Sequence, residues 1–231
     1  GLWLATQAAQ PVVPAPAALG IRQAPLWGLG RVVALEQPQL WGGMIDLDTG
    51  DAQAAAQTLL AELDGSDGED QVAWRAGRRY VARLERAPRP AAQQLVLHRD
   101  AAYLITGGLG DLGLEVARWL AQQGAGHLVL VGRRGLPPRS QWPELRPDAA
   151  WGAQVAAIAA IEQLGATVTV LAADVADAAA MAALFARFGA PATADALPPL
   201  RGVIHAAADW SSAPLAALDA ALLDKMLRPK L

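Results

Sequence analysis

From residue 101 onward the apolar positions fall into alternating blocks of two kinds. Short β-branched runs, "AAYLITGG" (101–108), "HLVLVGRR" (127–134), "TVTVLAADV" (167–175) and "GVIHAAA" (202–208), predict strands. Between them lie longer runs of helical period: "DLGLEVARWLAQQG" (111–124), ended by Gly124, "AAWGAQVAAIAAIEQLG" (149–165), ended by Gly165, and "AAAMAALFARFG" (178–189). A last helix is read through "LAALDAALLDKML" (215–227), and "GLPPRSQWPELRPD", with four prolines, is a loop. Strand and helix alternating in this way predict an α/β fold, a Rossmann-like doubly wound parallel sheet.

The first part of the chain is more mixed. "LWLAT" (2–6) and "GGMIDLD" (42–48) read as strands, and "PLWGLGRVVALEQ" as a helix with Pro25 near its start. "DAQAAAQTLLAEL" is a helix capped by Asp51, and "QVAWRAGRRYVARLER" a hairpin turning at Gly77. The acidic run from Asp64 to Asp70 lacks the carboxylate spacing of a calcium loop and reads as a solvated loop. Prolines and polar residues from Arg86 to Asp100 break the periodicity, which places a boundary between a domain at 1–95 and another at 96–231. Trp27 and Trp119, each on a helix, are expected to pack in a core or between the two parts.

Composition narrows the possible functions. With 231 residues, 53% hydrophobic and 18% charged, the chain can bury a sizeable core. The net charge of −3 and the lack of a basic cluster argue against nucleic acid as a partner. There is no cysteine, and His98, His127 and His205 are scattered, so no metal site is expected. No apolar run reaches the roughly 18–20 residues of a membrane span. The opening "GLWLATQAAQ" lacks a signal peptide's basic start and reads as a strand already in progress. Together these features make a cytoplasmic protein, without a membrane partner, the expectation.

The chemistry is concentrated after the strand at 101–108. Thr106 and Gly107 lead into Gly108, Gly110 and Gly113, a G-x-G-x-x-G series that also carries Leu109 and Leu112. At a strand-to-helix junction such glycines allow a tight turn, close approach of a pyrophosphate and close helix packing, and the helix N-terminus faces the anion. At the end of the next strand an NAD site would place an acid, whereas this chain has Arg133 and Arg134, which suit the 2′-phosphate of NADPH. Asp174, followed by Val175, ends the third strand, where it could accept from an adenine amino group or cap the next helix. His205 ends the fourth strand, and the small Ala206 and Ala207 after it would let backbone approach the cofactor.

Taken together, "YLITGGLGDLGLEVARWLAQQGAGHLVLVGRRG", "ADVAD", "GVIHAAA" and "MLRPKL" resemble the ketoreductase domain of modular type I polyketide synthases, members of the short-chain dehydrogenase/reductase superfamily. "APLWGLGRVVALEQPQLWGGMIDLD" and "GEDQVAWRAGRRYVARL" are similar to the structural subdomain of those ketoreductases, a Rossmann-like half that binds no cofactor. The resemblance implies NADPH-dependent reduction of a β-ketoacyl thioester to a β-hydroxyacyl thioester. The thioester would be carried on the phosphopantetheine arm of an acyl carrier protein, among neighbouring synthase domains. It also implies a catalytic lysine, and Lys230 in "RPKL" matches it; Lys225 matches less well.

The family's serine and tyrosine follow this lysine, and the sequence to Leu231 does not contain them, so the segment alone is expected to be inactive. The structural subdomain also looks incomplete at its start. Trp210, Ser211 and Ser212 stand where one stereochemical class carries Leu-Asp-Asp, which argues against that class, and Ala208 replaces a common glycine. A non-catalytic brace for a neighbouring synthase domain is the competing reading, against which the intact glycine series and Arg133 speak. A free-standing reductase would not carry the structural half.

Overall fold

The structure, a computed structural model, describes residues 1–12, 19–65, 67–88, 95–146, 148, 150–191 and 195–230. Part of the expected linker (89–94), Ser66 of the acidic run and Pro147 of the proline-rich loop lie outside them. The contacts divide the chain into a first unit, Gly1–Pro90 with Ala213–Leu218, and a second, Ala91–Ser212 with Asp219–Leu231.

In the first unit β1 (Leu2–Gln7), α1 (Ala24–Glu36), β2 (Trp41–Leu47), α2 (Ala52–Asp64), β3 (Gln71–Arg75) and β4 (Arg78–Val81) build a four-stranded sheet in the order β1-β2-β3-β4. The first two pairings are parallel and the last is antiparallel. β3 and β4 are joined by two residues, Ala76 and Gly77, both at positive φ, the backbone that a two-residue hairpin of matching twist requires. Asp51 caps α2 by accepting from the Ala54 N–H at 3.0 Å. Trp27 is buried with Met44 and Ala9.

A polar cluster runs through this core. Asp46 is 0% exposed and pairs with the buried Arg75. Its carboxylate also accepts from Thr6 Oγ1 at 2.6 Å and from the N–H groups of Ala9 and Gln10 at 2.9 Å each. Arg75 donates further to the carbonyls of Gln10, Asp46, Leu47 and Trp74, so the guanidinium ties strand ends to the loop after β1. Nothing in the spacing of Asp46 and Arg75 announces this pairing.

The acidic run is not simply solvated. Asp67 pairs with Arg79 of β4 at 2.7 Å and Glu69 with Arg83, just after β4, at 2.5 Å, while Asp70 accepts from Nε1 of Trp41 at the start of β2 at 2.8 Å. Glu62 of α2 takes a forked bond from Arg79 and one from Trp74 Nε1 at 2.9 Å. Arg79's hydrogen bond, ahead of the Trp74 bond, holds the Glu62 carboxyl below its usual value of 4.5. A carboxyl lowered by folding stabilises fully above its unfolded value, and that contribution disappears as pH falls through the lower folded value. Urea denaturation between pH 7 and pH 3 is therefore expected to show stability falling below about pH 4.5. Part of that slope should be missing in Glu62→Gln; an unchanged slope would show the pair to be inert.

The second unit contains β5 (Ala102–Thr106), α3 (Asp111–Gln122), β6 (His127–Gly132), α4 (Gly152–Gln163), β7 (Thr167–Ala172), α5 (Ala178–Phe185), β8 (Leu200–His205) and α6 (Ala220–Leu227). Its sheet is entirely parallel, in the order β7-β6-β5-β8. Strand alternation separates two cores. Tyr103, Ile105, Leu128 and Leu130 meet Ala117 and Leu120 of α3 and Ile158 and Ile161 of α4. Their sequence neighbours Ala102, Leu104, Val129 and Val131 meet Leu184 of α5 on the other face. A sheet covered on both faces explains why β5 and β6 are nearly continuous apolar runs.

Several expected elements are shifted. The run 215–227 is not one helix: Leu215–Ala217 is a 3₁₀ turn, and Asp219 then caps α6 by accepting from the Leu222 N–H at 2.7 Å. The turn groups with the first unit, where Leu215 N–H donates to Glu36 at 2.6 Å. The proline-rich loop includes a 3₁₀ stretch, Arg139–Glu144, pinned by Arg139 on Glu162 at 2.7 Å. α4 begins only at Gly152, since Trp151 sits at φ +73° and cannot be a helical residue. Trp119 is 48% exposed and is not core.

Candidate functional site

After β5 the chain passes outward to β6 and β7, then returns to β8 on the other side of β5. Strand order thus reverses at β5, and a crevice opens beyond the carboxyl ends of strands at such a reversal. A cleft of about 500 Å³ lies there. Gly107, Leu109 and Gly110 form its floor, Arg133, Arg134, Trp151, Gln154, Asp174 and Val175 line one end, and Ala206 to Trp210 with Lys225, Arg228 and Pro229 line the other.

The glycines divide by what demands them. Gly107 has φ +67°, and a Cβ on it would sit 2.6 Å from the Ala206 carbonyl oxygen. A Cβ on Gly108 would lie 2.8 Å from Ile105 O, and one on Gly113 would strike Gly107 O. These three are required by the fold itself. Gly110 is different, since a Cβ there meets only Gly107 O, at 3.4 Å, and its φ is ordinary. The fold has room for a side chain where Gly110 faces the cleft, so its lack leaves backbone open to a ligand. Gly110 is also the N-cap of α3 and supplies no side-chain cap, which leaves first-turn N–H groups available for an anion. This cradle fits the pyrophosphate of a dinucleotide.

Thr106, Gly108, Leu112, Gly113 and His205 do not line the cleft. Thr106 is buried and bonds His205 Nδ1 at 2.7 Å, while His205 Nε2 lies 2.8 Å from the Pro229 carbonyl. A carbonyl only accepts, so in the neutral ring Nε2 carries the proton and Nδ1 accepts from Thr106. Ala207 N–H donates to Thr106 Oγ1 at 3.3 Å and completes a relay. His205 therefore holds the backbone next to Lys230 rather than facing the cleft. Leu112 is exposed on the outer side of α3.

Asp174 does not cap α5; Asp177 does, accepting from the N–H groups of Ala179 and Ala180 at 3.0 Å. Asp174 turns the loop through the Ala176 N–H at 3.0 Å and still lines the cleft. Among the described residues neither Arg133 nor Arg134 makes a salt bridge.

At the other end Lys225 donates to Ser211 Oγ at 2.8 Å and lies 3.5 Å from Asp209 Oδ2. Bonds from the Ser211 hydroxyl and N–H, with Lys225 nearby, hold the Asp209 carboxyl below the usual aspartate range. Lys225 lines the cleft, whereas Lys230 is exposed in the turn after α6, its N–H bonded to Leu227 O at 2.7 Å. Trp151, Gln154, Asp209 and Arg228 also line the cleft; Arg228 falls within "MLRPKL", and no sequence motif points to the other three. Among the described residues no helix is long and apolar enough to cross a membrane, and no group of acidic or histidine residues could hold a metal ion.

The family model for the KR domain matches residues 101–231, and that for the Rossmann fold domain of polyketide synthase extender module SpnB matches residues 1–84. The chain is 46% identical over 213 residues to 5-methyl-1-naphthoate synthase of Streptomyces sahachiroi, covering 91% of this chain and 11% of that protein. It is 36% identical over 228 residues to 6-methylsalicylic acid synthase of Aspergillus terreus, covering 95% of the chain and 12% of the relative. The chain thus spans about a ninth of the length of these curated relatives. Among solved structures, the ketoreductase from the first module of phoslactomycin biosynthesis in Streptomyces sp. HK803 matches with a TM-score of 0.79 and 34% identity, over 99% of this chain and 49% of that one. An A-type ketoreductase of a modular polyketide synthase matches with a TM-score of 0.75 and 39% identity, over 99% and 45%.

KR domains are oxidoreductases of the short-chain dehydrogenase/reductase type, a class that typically uses NAD(P)H, and the chain has that class's doubly wound sheet with a glycine-floored cleft at the switch point. The chain belongs to the ketoreductase domain family of modular polyketide synthases, whose members here are parts of multidomain synthases.

Proposed function

We propose that residues 96–231 belong to an active, NADPH-dependent ketoreductase domain and that residues 1–95 are its structural, non-cofactor-binding half. The substrate is a β-ketoacyl thioester on the phosphopantetheine arm of an acyl carrier protein, and the product is the β-hydroxyacyl thioester. One observation carries this reading: the cleft joins the Gly107–Gly110 floor to an end bearing Arg133 and Arg134, two cations with no carboxylate partner among the described residues. A protein retained only as a brace has no need of open backbone and free guanidinium groups in one crevice.

When bound, NADPH supplies the hydride that adds to the ketone carbon. In this reading Gly107, Leu109 and Gly110 hold the pyrophosphate by backbone, and Arg133 and Arg134 take the 2′-phosphate. Asp174 and Val175 border the adenine, and Ala206 and Ala207 leave room for the nicotinamide end. The match of "RPKL" to the family motif, not the cleft lining, assigns the catalytic lysine to Lys230, which stands exposed in the turn after α6; its charge would bind the ribose and lower the pKa of the proton donor that neutralises the new alkoxide.

The test is fluorescence titration of the intact protein with NADPH, followed by turnover with a β-ketoacyl thioester surrogate. NADPH is expected to bind and to be oxidised only with substrate, and Lys230→Ala is expected to cut turnover by at least about a hundredfold. Absence of NADPH binding would favour the brace.

A further inference from the structure

Trp151 is the residue in the second unit whose conformation its own type least explains. It stands at φ +73° and ψ −7°, the left-handed region, which a bulky aromatic residue occupies only under constraint from its surroundings. Among the described residues of this unit it is the one non-glycine with positive φ. Ordinary local chemistry does not account for the choice: Trp151 makes no side-chain capping bond to α4, and glycine would adopt this backbone without cost. Its ring instead lines the cleft, and the Arg134 guanidinium lies over it, 5.2 Å from the ring centroid.

A guanidinium held over an aromatic face by cation–π attraction keeps N–H groups free for an anion, since the ring face does not use up its whole donor fork. That contact removes part of the freedom of a long side chain, and the ordering cost is then not charged against anion binding. Arg134 makes no salt bridge among the described residues, so its fork stays available. Arg133, beside it, has no such aromatic support among the described residues.

We infer that Trp151 is a positioning residue that holds Arg134 ready for the 2′-phosphate of the cofactor, and so strengthens the preference for NADPH over NADH. The inference rests on the NADPH-binding reading above and adds to it a residue that sharpens the selectivity the arginine pair supplies. The left-handed backbone and the contact with Arg134, which follows β6, fall on the same residue, the one that precedes α4.

The experiment is titration of the intact protein with NADPH and, separately, with NADH, for the unaltered protein, Trp151→Gly and Trp151→Phe. Trp151→Gly is chosen because glycine relieves the left-handed strain, so a folded variant is expected. Its NADPH affinity is expected to fall by about two- to fivefold with NADH affinity unchanged, while Trp151→Phe keeps most of the preference. Equal weakening of both cofactors, or no change for NADPH, in Trp151→Gly would overturn the inference. Failure of the unaltered protein to bind NADPH, or to prefer it over NADH, would instead remove the reading on which the inference stands.

Discussion

Gly107→Ala is expected to destabilise the protein by about 2–5 kcal/mol in urea denaturation and to abolish measurable NADPH binding. Two costs combine. Residue 107 has φ +67°, where a Cβ costs about 1–2 kcal/mol, and that Cβ would press within 2.6 to 2.8 Å on the backbone of Ala206 and Ala207, which cannot swing aside as a side-chain tip could. Moving the end of β8 away would also stretch the relay from Thr106 through His205 to Pro229. Two comparisons separate the causes. Gly124, at φ +96° with nothing within 4 Å, carries only the conformational cost, so Gly124→Ala should lose about 1–2 kcal/mol and keep its NADPH affinity. Gly110→Ala should leave stability nearly unchanged and weaken NADPH binding alone, because only the ligand needs that space. If Gly107→Ala were no worse than Gly124→Ala, the close approach of β8 would not matter.

The second large effect lies in the first unit. Asp46→Ala is expected to cost about 3–5 kcal/mol, since it leaves the guanidinium of buried Arg75 without its counter-charge. It also removes the acceptor for Thr6 and for the N–H groups of Ala9 and Gln10, which close the loop after β1. A loss of this size is a large fraction of a typical domain's stability. Replacing both charges, as Asp46→Leu with Arg75→Met, should cost less than Asp46→Ala alone, because no unpaired charge is then buried. Urea denaturation of the single and double variants decides the matter: a double variant as unstable as the single one would mean that packing, not the stranded charge, dominates.

Much of the second unit was readable from local pattern. The β-branched runs at 102–106 and 127–132 place alternate residues on the two faces of the sheet, and the three helices between the strands supply the cover. The glycine series and the arginine pair were readable too, because they occupy neighbouring positions along the chain. Harder to read was a break such as Asp219, where the apolar period of 215–227 continues across a residue that caps a new helix. Helical period reports which residues share a face, and it is silent on a single side chain that takes over a backbone N–H.

By itself, then, the sequence determined the α/β alternation, the place of the glycine-rich turn after β5 and the absence of an acid after β6. Each depends on residues within a few positions of one another, where periodicity and backbone preference act directly. Tertiary structure alone decided that Asp46 meets Arg75, that Trp151 lies under Arg134, and that Lys225 rather than Lys230 lines the cleft. Those outcomes join residues 29 positions apart in the first case, across separate strands, and in the others depend on where a loop or helix end returns to the sheet. Such meetings follow from how the whole sheet pairs and packs, and no local run of residues encodes them.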